Sequence, residues 1–206
     1  MSTRQREKLL SIIMNEEIKQ AVEILRQGGI IIYPTDTAFG IGCRIDDEKA
    51  VRKLFEIRER PLNKPCPVLF HSIELVKEYV TEIPSQAEEL MKKYWPGALT
   101  IILPANAKVG ELVRGQTGIG CRIPNHEIPL TIVAELGVPI IGTSANFPGM
   151  PTPYHFSELD QKLISRVDLT VNGETNGQEV STVIDCTQSK IKILRQGAVP
   201  IDDLEI

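Results

Sequence analysis

Long apolar runs are missing from this sequence. None approaches the ~18 residues that a membrane-spanning helix needs, so no membrane segment is expected. The opening MSTRQREKLLSIIMNEE carries charges and lacks the apolar centre and small-residue cleavage site of a secretory signal. Cytoplasm is therefore the expected compartment. Cysteine is sparse: Cys43, Cys66, Cys121 and Cys186 lie far apart without a CxxC pair, which argues against zinc. They read as buried, reduced thiols. A reactive role at Cys66 or Cys121, beside candidate site residues, is the alternative. His71, His126 and His155 fall in turn-like settings without metal-ligand spacing, and only His126, near Arg122, stands out. There is no GxxxxGK(S/T) and no GxGxxG. Gly40-Ile41-Gly42 and Gly118-Ile119-Gly120 lack the third glycine, so a nucleotide bound here does not use a P-loop. A GxSxG elbow fails because Ala145 and Asn146 follow Ser144. Excess positive charge is absent as well. The net charge of −4 excludes a polycationic nucleic-acid binder, though a local basic patch stays open.

What is present suffices for a core. At 206 residues and 42% hydrophobic content the chain fits one domain. Residues 1–16 read as an N-terminal extension and 17–206 as the domain proper. Leu9, Leu10, Ile13, Ile18, Val22 and Leu25 recur at helical spacing over 4–26, with a break near Asn15. Residues 30–34 read as a strand buried on both faces. Asp46-Asp47-Glu48 open a helix with Ala50, Val51, Leu54, Phe55 and Ile57 inward, and Pro61 and Pro65 end it. Val68-Leu69-Phe70 is a short strand. Ser72 caps a helix to about Val80, and Pro84-Ser85 opens another to Tyr94. Strands follow at 99–103 and 118–123, then a helix at 127–136 stopped by Gly137. A strand at 138–142 runs into Thr143-Ser144-Ala145-Asn146. A helix at 157–166 and strands at 168–171, 180–186 and 191–195 complete the pattern. Interleaving without strict alternation predicts an α/β domain with a mixed sheet. Ligands of open α/β sheets bind at strand ends.

Polar and cationic residues collect at those ends. From Gly28 to Phe70 the chain reads GGIIIYPTDTAFGIGCRIDDEKAVRKLFEIRERPLNKPCPVLF. An apolar run stops at the hydroxyl-rich Pro34-Thr35-Asp36-Thr37, a glycine loop follows, and a helix-like segment leads to Arg58, Arg60 and Lys64. Arg52, Glu56 and Arg60 share a helix face and suit surface pairing. Arg58, Arg60 and Lys64 cluster where the chain returns to the sheet, a place for guanidinium groups to bind phosphate or carboxylate. Arg122 and Arg195 each end a strand, and each is open between an internal ion pair and a clamp on a ligand anion. Asp36 reads as a turn cap, with a metal- or cation-holding role as the alternative. Taken singly, Ser144, Asn146 and Ser181 read as strand-end caps. Together, Thr37, Arg58, Arg60, Lys64, Arg122, Ser144, Asn146, Ser181 and Arg195 offer hydroxyls, an amide and cations. No nucleophile or general base stands out among them. That profile suits positioning and charge stabilisation, as in phosphoryl or nucleotidyl transfer.

Seven motifs occur in order: PTDT-x-x-G (34–40), R-x-R-P-x-x-K-P (58–65), PG-x-x-T (96–100), R-I-P (122–124), TSAN-x-x-G (143–149), STVID (181–185) and LR-x-G (194–197). On these the chain resembles the YrdC-like family, the threonylcarbamoyl-adenylate synthases of tRNA modification, from about Glu17 to Gly197. The resemblance implies a twisted mixed β-sheet with flanking helices around a concave, positively charged cavity, in the short single-domain form. It implies formation of L-threonylcarbamoyl-AMP and pyrophosphate from L-threonine, bicarbonate and ATP. Mg2+ would accompany the ATP, with no protein-bound metal. Downstream threonylcarbamoyl transferase proteins would carry the product to the adenosine beside the anticodon. By motif position, Thr37, Arg122 and Ser181 are the implied L-threonine contacts. Arg60, Lys64, Thr117, Gly118, Ser144, Asn146, Tyr154 and Arg195 are the implied nucleotide contacts. Arg58, Arg60, Ser144 and Asn146 are the implied catalytic set. The chain departs from the family at Arg58, usually lysine, at Phe39, usually tyrosine, and in the loop Pro148–Tyr154. Two other readings stay open. One is a relative that binds tRNA, an rRNA precursor or double-stranded RNA without synthase activity. Its motive is the basic cluster at 49–64, with six Lys/Arg against two Glu. The other is a paralogue acting on a different amino acid.

Overall fold

Local caps fix most of the helices. The computed structural model describes residues 3–61, 66–115 and 118–200. Helix α1 spans Thr3–Arg26 and buries Ile18, Ala21, Val22 and Leu25, packing on helix α5, Glu127–Leu136. It passes Asn15 without the expected break. Asparagine costs a helix only part of a kcal/mol (~0.7 at most), too little to interrupt it. In α2, Glu48–Ile57, the Asp47 carboxylate accepts from the Lys49 and Ala50 amides. In α3, Ile73–Lys77, the Ser72 hydroxyl accepts from the Leu75 amide. Helix α4 runs over Ser85–Tyr94. Gly137, at φ 73°, closes α5 in the left-handed conformation that glycine adopts without strain. The helix expected over 157–166 divides into a 3-10 turn, Phe156–Glu158, and α6, Gln161–Ile164. Asp160 is the reason: its side chain accepts from the Lys162 amide, a cap rather than an interior role.

Two mixed sheets carry the rest. Strands β1 (Ile31–Tyr33), β2 (Gly40–Gly42), β7 (Thr143–Ser144) and β8 (Leu169–Thr170) form a four-stranded sheet in the order β7-β2-β1-β8. Strands β3 (Pro67–Leu69), β4 (Leu99–Leu103), β5 (Ile119–Arg122), β6 (Ile140–Ile141), β9 (Thr182–Asp185) and β10 (Lys192–Arg195) form the second, in the order β10-β9-β4-β5-β3-β6. The pairs β1–β8, β3–β5 and β4–β9 are parallel; the others are antiparallel. The mixed α/β class is as expected, with its strands shared between two sheets.

Two local expectations fail at the seam between the sheets. The glycine loop after Thr37 is strand β2, and the single strand expected at 138–142 gives way to β6 and β7, in different sheets. At the seam Tyr33 donates to the Ile141 carbonyl at 2.7 Å, and the Ile141 amide donates to the Cys43 carbonyl at 2.9 Å. A Cβ on Gly42 would lie 1.8 Å from the Ile141 oxygen, so only glycine lets the two backbones approach this closely.

None of the four cysteines forms a disulfide, and each is at most 2% exposed. Burial raises each thiol above its ordinary value of 9.0, Cys186 to about 12 with Asp185 adding to the effect. Burial and the raised thiols favour the buried, reduced reading of Cys66 and Cys121. Iodoacetamide at pH 8 is expected to leave all four unmodified in the folded protein and to label all four in guanidinium. Thiols held protonated only by folding favour the native state below pH 9. That contribution is lost as the pH rises through the raised values, so stability to urea should fall above pH 9. Rapid labelling of one cysteine in the folded protein would contradict this.

Candidate active site

Alternation along four neighbouring strands builds the floor of one cavity of about 700 Å3. Successive strand residues point to opposite faces. Thus Thr100 and Ile102 of β4, Gly118, Gly120 and Arg122 along β5, Ser181, Val183 and Asp185 along β9, and Lys192 and Leu194 of β10 face the cavity. Leu99, Ile101, Leu103, Ile119, Cys121 and Ile184 lie in the core behind. The Thr35–Gly40 segment and the Gly142–Ser144 turn form a facing wall.

Arg122 organises one end. Its Nε donates to the Gly97 carbonyl at 3.0 Å, Nη1 to Thr37 Oγ1 at 2.9 Å and Nη2 to Asp36 Oδ1 at 2.6 Å. Its side chain is 7% exposed and that of Asp36 is 9% exposed, so this is a buried ion pair. Thr35 gives its proton to the Ala38 carbonyl, which makes Thr37 the donor in the 3.0 Å Thr35–Thr37 contact. Nη1 and Nη2 of Arg122 each keep one hydrogen without a partner among the described residues. Arg122 is thus both alternatives at once: an internal pair and a fork with donors left for a ligand carboxylate.

Arg195, at the end of β10 in the same sheet, lines the cavity as well. Its Nε donates to the Ser181 carbonyl and Nη2 to Ser181 Oγ, both at 3.0 Å, while Ser181 Oγ lies 2.9 Å from Thr100 Oγ1. The Arg195 side chain reaches the cavity mouth, yet its guanidinium is lowered below the ordinary arginine value. The causes are partial burial first and then the charge of Arg122. Both guanidiniums line the same cavity, that of Arg122 with its charge paired to Asp36.

The family model described as "Telomere recombination", covering Sua5, YciO and YrdC, matches residues 23–197. The chain belongs to the Sua5/YciO/YrdC family. The threonylcarbamoyl-AMP synthase of Pyrococcus abyssi is 34% identical over 92% of this chain. That of Vibrio parahaemolyticus is 33% identical over 88% of this chain and 100% of its own length. The uncharacterised protein YciO of Escherichia coli is 34% identical over 87% of this chain and 88% of its own length. Among solved structures, P. abyssi Sua5 complexed with L-threonine matches with a TM-score of 0.87 at 34% identity, over 91% of this chain and 56% of that one. E. coli YciO matches with a TM-score of 0.82 at 32% identity, over 91% and 92%. The chain spans 56% of the length of the P. abyssi and Bacillus subtilis synthases.

Of the residues picked out by the family motifs, Thr37, Arg60, Gly118, Arg122, Ser144, Ser181 and Arg195 line this one cavity. Three others do not. Arg58 is 3% exposed and lies behind the wall, bonded to Thr143 and Asn146. Asn146 holds the turn together: its Oδ1 accepts from Ser144 Oγ at 2.7 Å and its Nδ2 donates to the Met150 carbonyl. Tyr154 uses its backbone amide on Glu158 and its carbonyl on Thr175, and its side chain is near enough to Arg195 to act on that guanidinium. Lys64 and Thr117 lie outside the described residues.

A left-handed cap separates Arg58 from Arg60. The Arg60 amide donates to Phe55 O and the Glu59 amide to Glu56 O, with Glu59 at φ 53°. This pattern normally uses glycine. Helix α2 ends there, before Pro61, and Pro65 is outside the described residues. The turn sends Arg58 inward and leaves Arg60 on the cavity. Within the basic cluster at 49–64, Arg52 pairs with Glu48, Lys53 with Asp168, and Arg58 is buried. His126 caps α5, accepting from the Ile128 amide, and contacts the Glu174 carbonyl. The sequence reading missed Thr35, Thr100, Asp185 and Lys192. Period-two alternation in LTIIL and TVID was the available signal for Thr100 and Asp185.

Proposed function

We propose that this protein is a threonylcarbamoyl-AMP synthase acting on L-threonine, bicarbonate and ATP. The observation that carries the reading is the convergence of Arg122 and Arg195 on one hydroxyl-lined cavity, with the Asp36 carboxylate committed to its ion pair with Arg122. A family name shared with synthases, and an L-threonine complex of P. abyssi Sua5, support it. The threonine carboxylate takes the two remaining Arg122 hydrogens, with the Thr37 hydroxyl beside it. The amine adds to the carbon of bicarbonate with loss of water, giving a carbamate. A carbamate oxygen then bonds to the α-phosphorus of ATP. The bond from that phosphorus to the bridging oxygen breaks, and pyrophosphate leaves with the electron pair. Arg60 and Arg195 stabilise the charge that develops.

Magnesium belongs to the nucleotide substrate in this reading. Among the described residues no three His, Cys, Asp or Glu side chains gather as a metal site. Asp36 is committed to Arg122, and Asp185 Oδ1 accepts from Thr187. The product is a labile mixed anhydride, so a transferase that modifies tRNA must consume it. No helix among the described residues is long and apolar enough to cross a membrane, and we place the reaction in the cytoplasm.

Pyrophosphate release from MgATP with bicarbonate is expected to require L-threonine, with L-serine supporting much slower release. Equal release with serine would indicate a different amino acid substrate. No release from folded protein that binds ATP would overturn the reading.

A further inference from the structure

We propose that Arg58 is a positioning residue that acts through Ser144, from behind the cavity wall, on the affinity for nucleotide. The inference rests on the nucleotide reading of this cavity given above. Arg58 leaves the end of α2 at the seam between the two sheets, where the chain passes at Gly142 from β6 in one sheet to β7 in the other. Its Nη1 donates to Thr143 Oγ1 at 2.7 Å. Its Nε and Nη2 donate to the Asn146 carbonyl at 3.1 and 2.7 Å, and Nη2 reaches Asn146 Oδ1 at 3.2 Å. The fork thus spans both ends of the Thr143–Asn146 turn.

The consequence is transmitted to Ser144. Asn146 Oδ1 accepts from Arg58 and from Ser144 Oγ, while Nδ2 donates to Met150 O. A flipped amide would set NH2 against guanidinium, so the network allows one orientation. Ser144, which lines the cavity beside Thr143, then spends its proton on Asn146 and turns lone pairs to the cavity. That suits a donor on the ligand, such as a ribose hydroxyl or a magnesium-bound water. Phe39 and Ala145 hold the middle of the same turn by an amide–carbonyl bond of 2.9 Å, so the order of its two ends, and with it the direction of the Ser144 side chain, depends on Arg58. A lysine here keeps the charge and the apolar stem but has no planar fork, and cannot serve both ends of the turn.

Two measurements on Arg58→Lys, with Arg58→Gln as a second variant, test this. MgATP affinity is read by calorimetry without turnover. Hydrogen exchange is read on the peptide containing residues 143–150. Arg58→Lys is expected to fold, to speed exchange in that peptide alone, and to weaken MgATP binding about tenfold. Weaker binding with unchanged exchange would mean that Arg58 touches the nucleotide directly. Faster exchange with unchanged affinity would make its role structural only. Either result overturns the proposal. A parent protein that binds MgATP but releases no pyrophosphate would overturn the synthase reading and leave this one standing. Failure of the parent to bind MgATP would overturn both.

Discussion

Arg122→Ala is expected to abolish threonine-dependent turnover, by at least about 10³-fold, and to destabilise the fold as well. The two effects have separate causes. The stability loss comes from Asp36, whose carboxylate is left 9% exposed without its cation. Breaking a buried pair from one side costs about 3–5 kcal/mol, because a charge stays buried and uncompensated. The turnover loss comes from the two ligand-facing hydrogens. A double variant separates them. Replacing both charges with neutral groups of similar size, Asp36→Asn with Arg122→Met, removes the orphaned carboxylate and is expected to recover most of the stability. It cannot rebuild a clamp for a carboxylate, so turnover stays absent. Urea denaturation and pyrophosphate release on the same preparations give both readouts. Recovery of threonine-dependent turnover in the double variant would show that Arg122 serves the ion pair alone.

Two glycines that are two residues apart are expected to respond in opposite ways. A Cβ on Gly118 would stand 2.0 Å from the Leu103 carbonyl oxygen, a collision with backbone in the neighbouring strand. Gly118→Ala is therefore expected to cost about 3 kcal/mol or more, at the upper end of overpacking effects. A Cβ on Gly120 meets only ordinary contacts, Thr100 Cγ2 at 3.4 Å and the Pro67 Cα at 3.7 Å. The fold does not require glycine there, and both residues face the cavity. Gly120→Ala should keep or slightly raise the melting temperature while lowering ligand affinity, because its methyl group occupies space the ligand needs. Thermal unfolding with and without MgATP and L-threonine distinguishes the two. A Gly120→Ala protein with unchanged ligand-induced stabilisation would show that no ligand lies over that part of the floor.

Much of the molecule was legible from local pattern. The Asp47 and Ser72 caps, the Gly137 stop, and helix α4 from Ser85 to Tyr94 are decided by residues within a few positions of one another. So is the chemistry of the strand ends: Thr37, Arg122, Ser144, Ser181 and Arg195 were picked from type and place, and they share one cavity. A polar residue that closes an apolar strand has few places to point, which is why that inference works from sequence. Three things needed the tertiary structure. Arg58 and Arg60 are chemically alike and one residue apart from being neighbours; the left-handed turn at Glu59 decides which of them meets the cavity. Arg122 was open between an internal pair and a ligand clamp, and only the approach of Asp36 from another sheet shows that it is both. The break at Gly142, which moves the chain from one sheet to the other, depends on strands β2 and β3 arriving from far along the sequence. Periodicity and capping act within an element, so sequence alone determined the elements and the chemistry at their ends. Which element lies beside which is set by contacts between distant residues, and these decided which charges meet and which face the cavity.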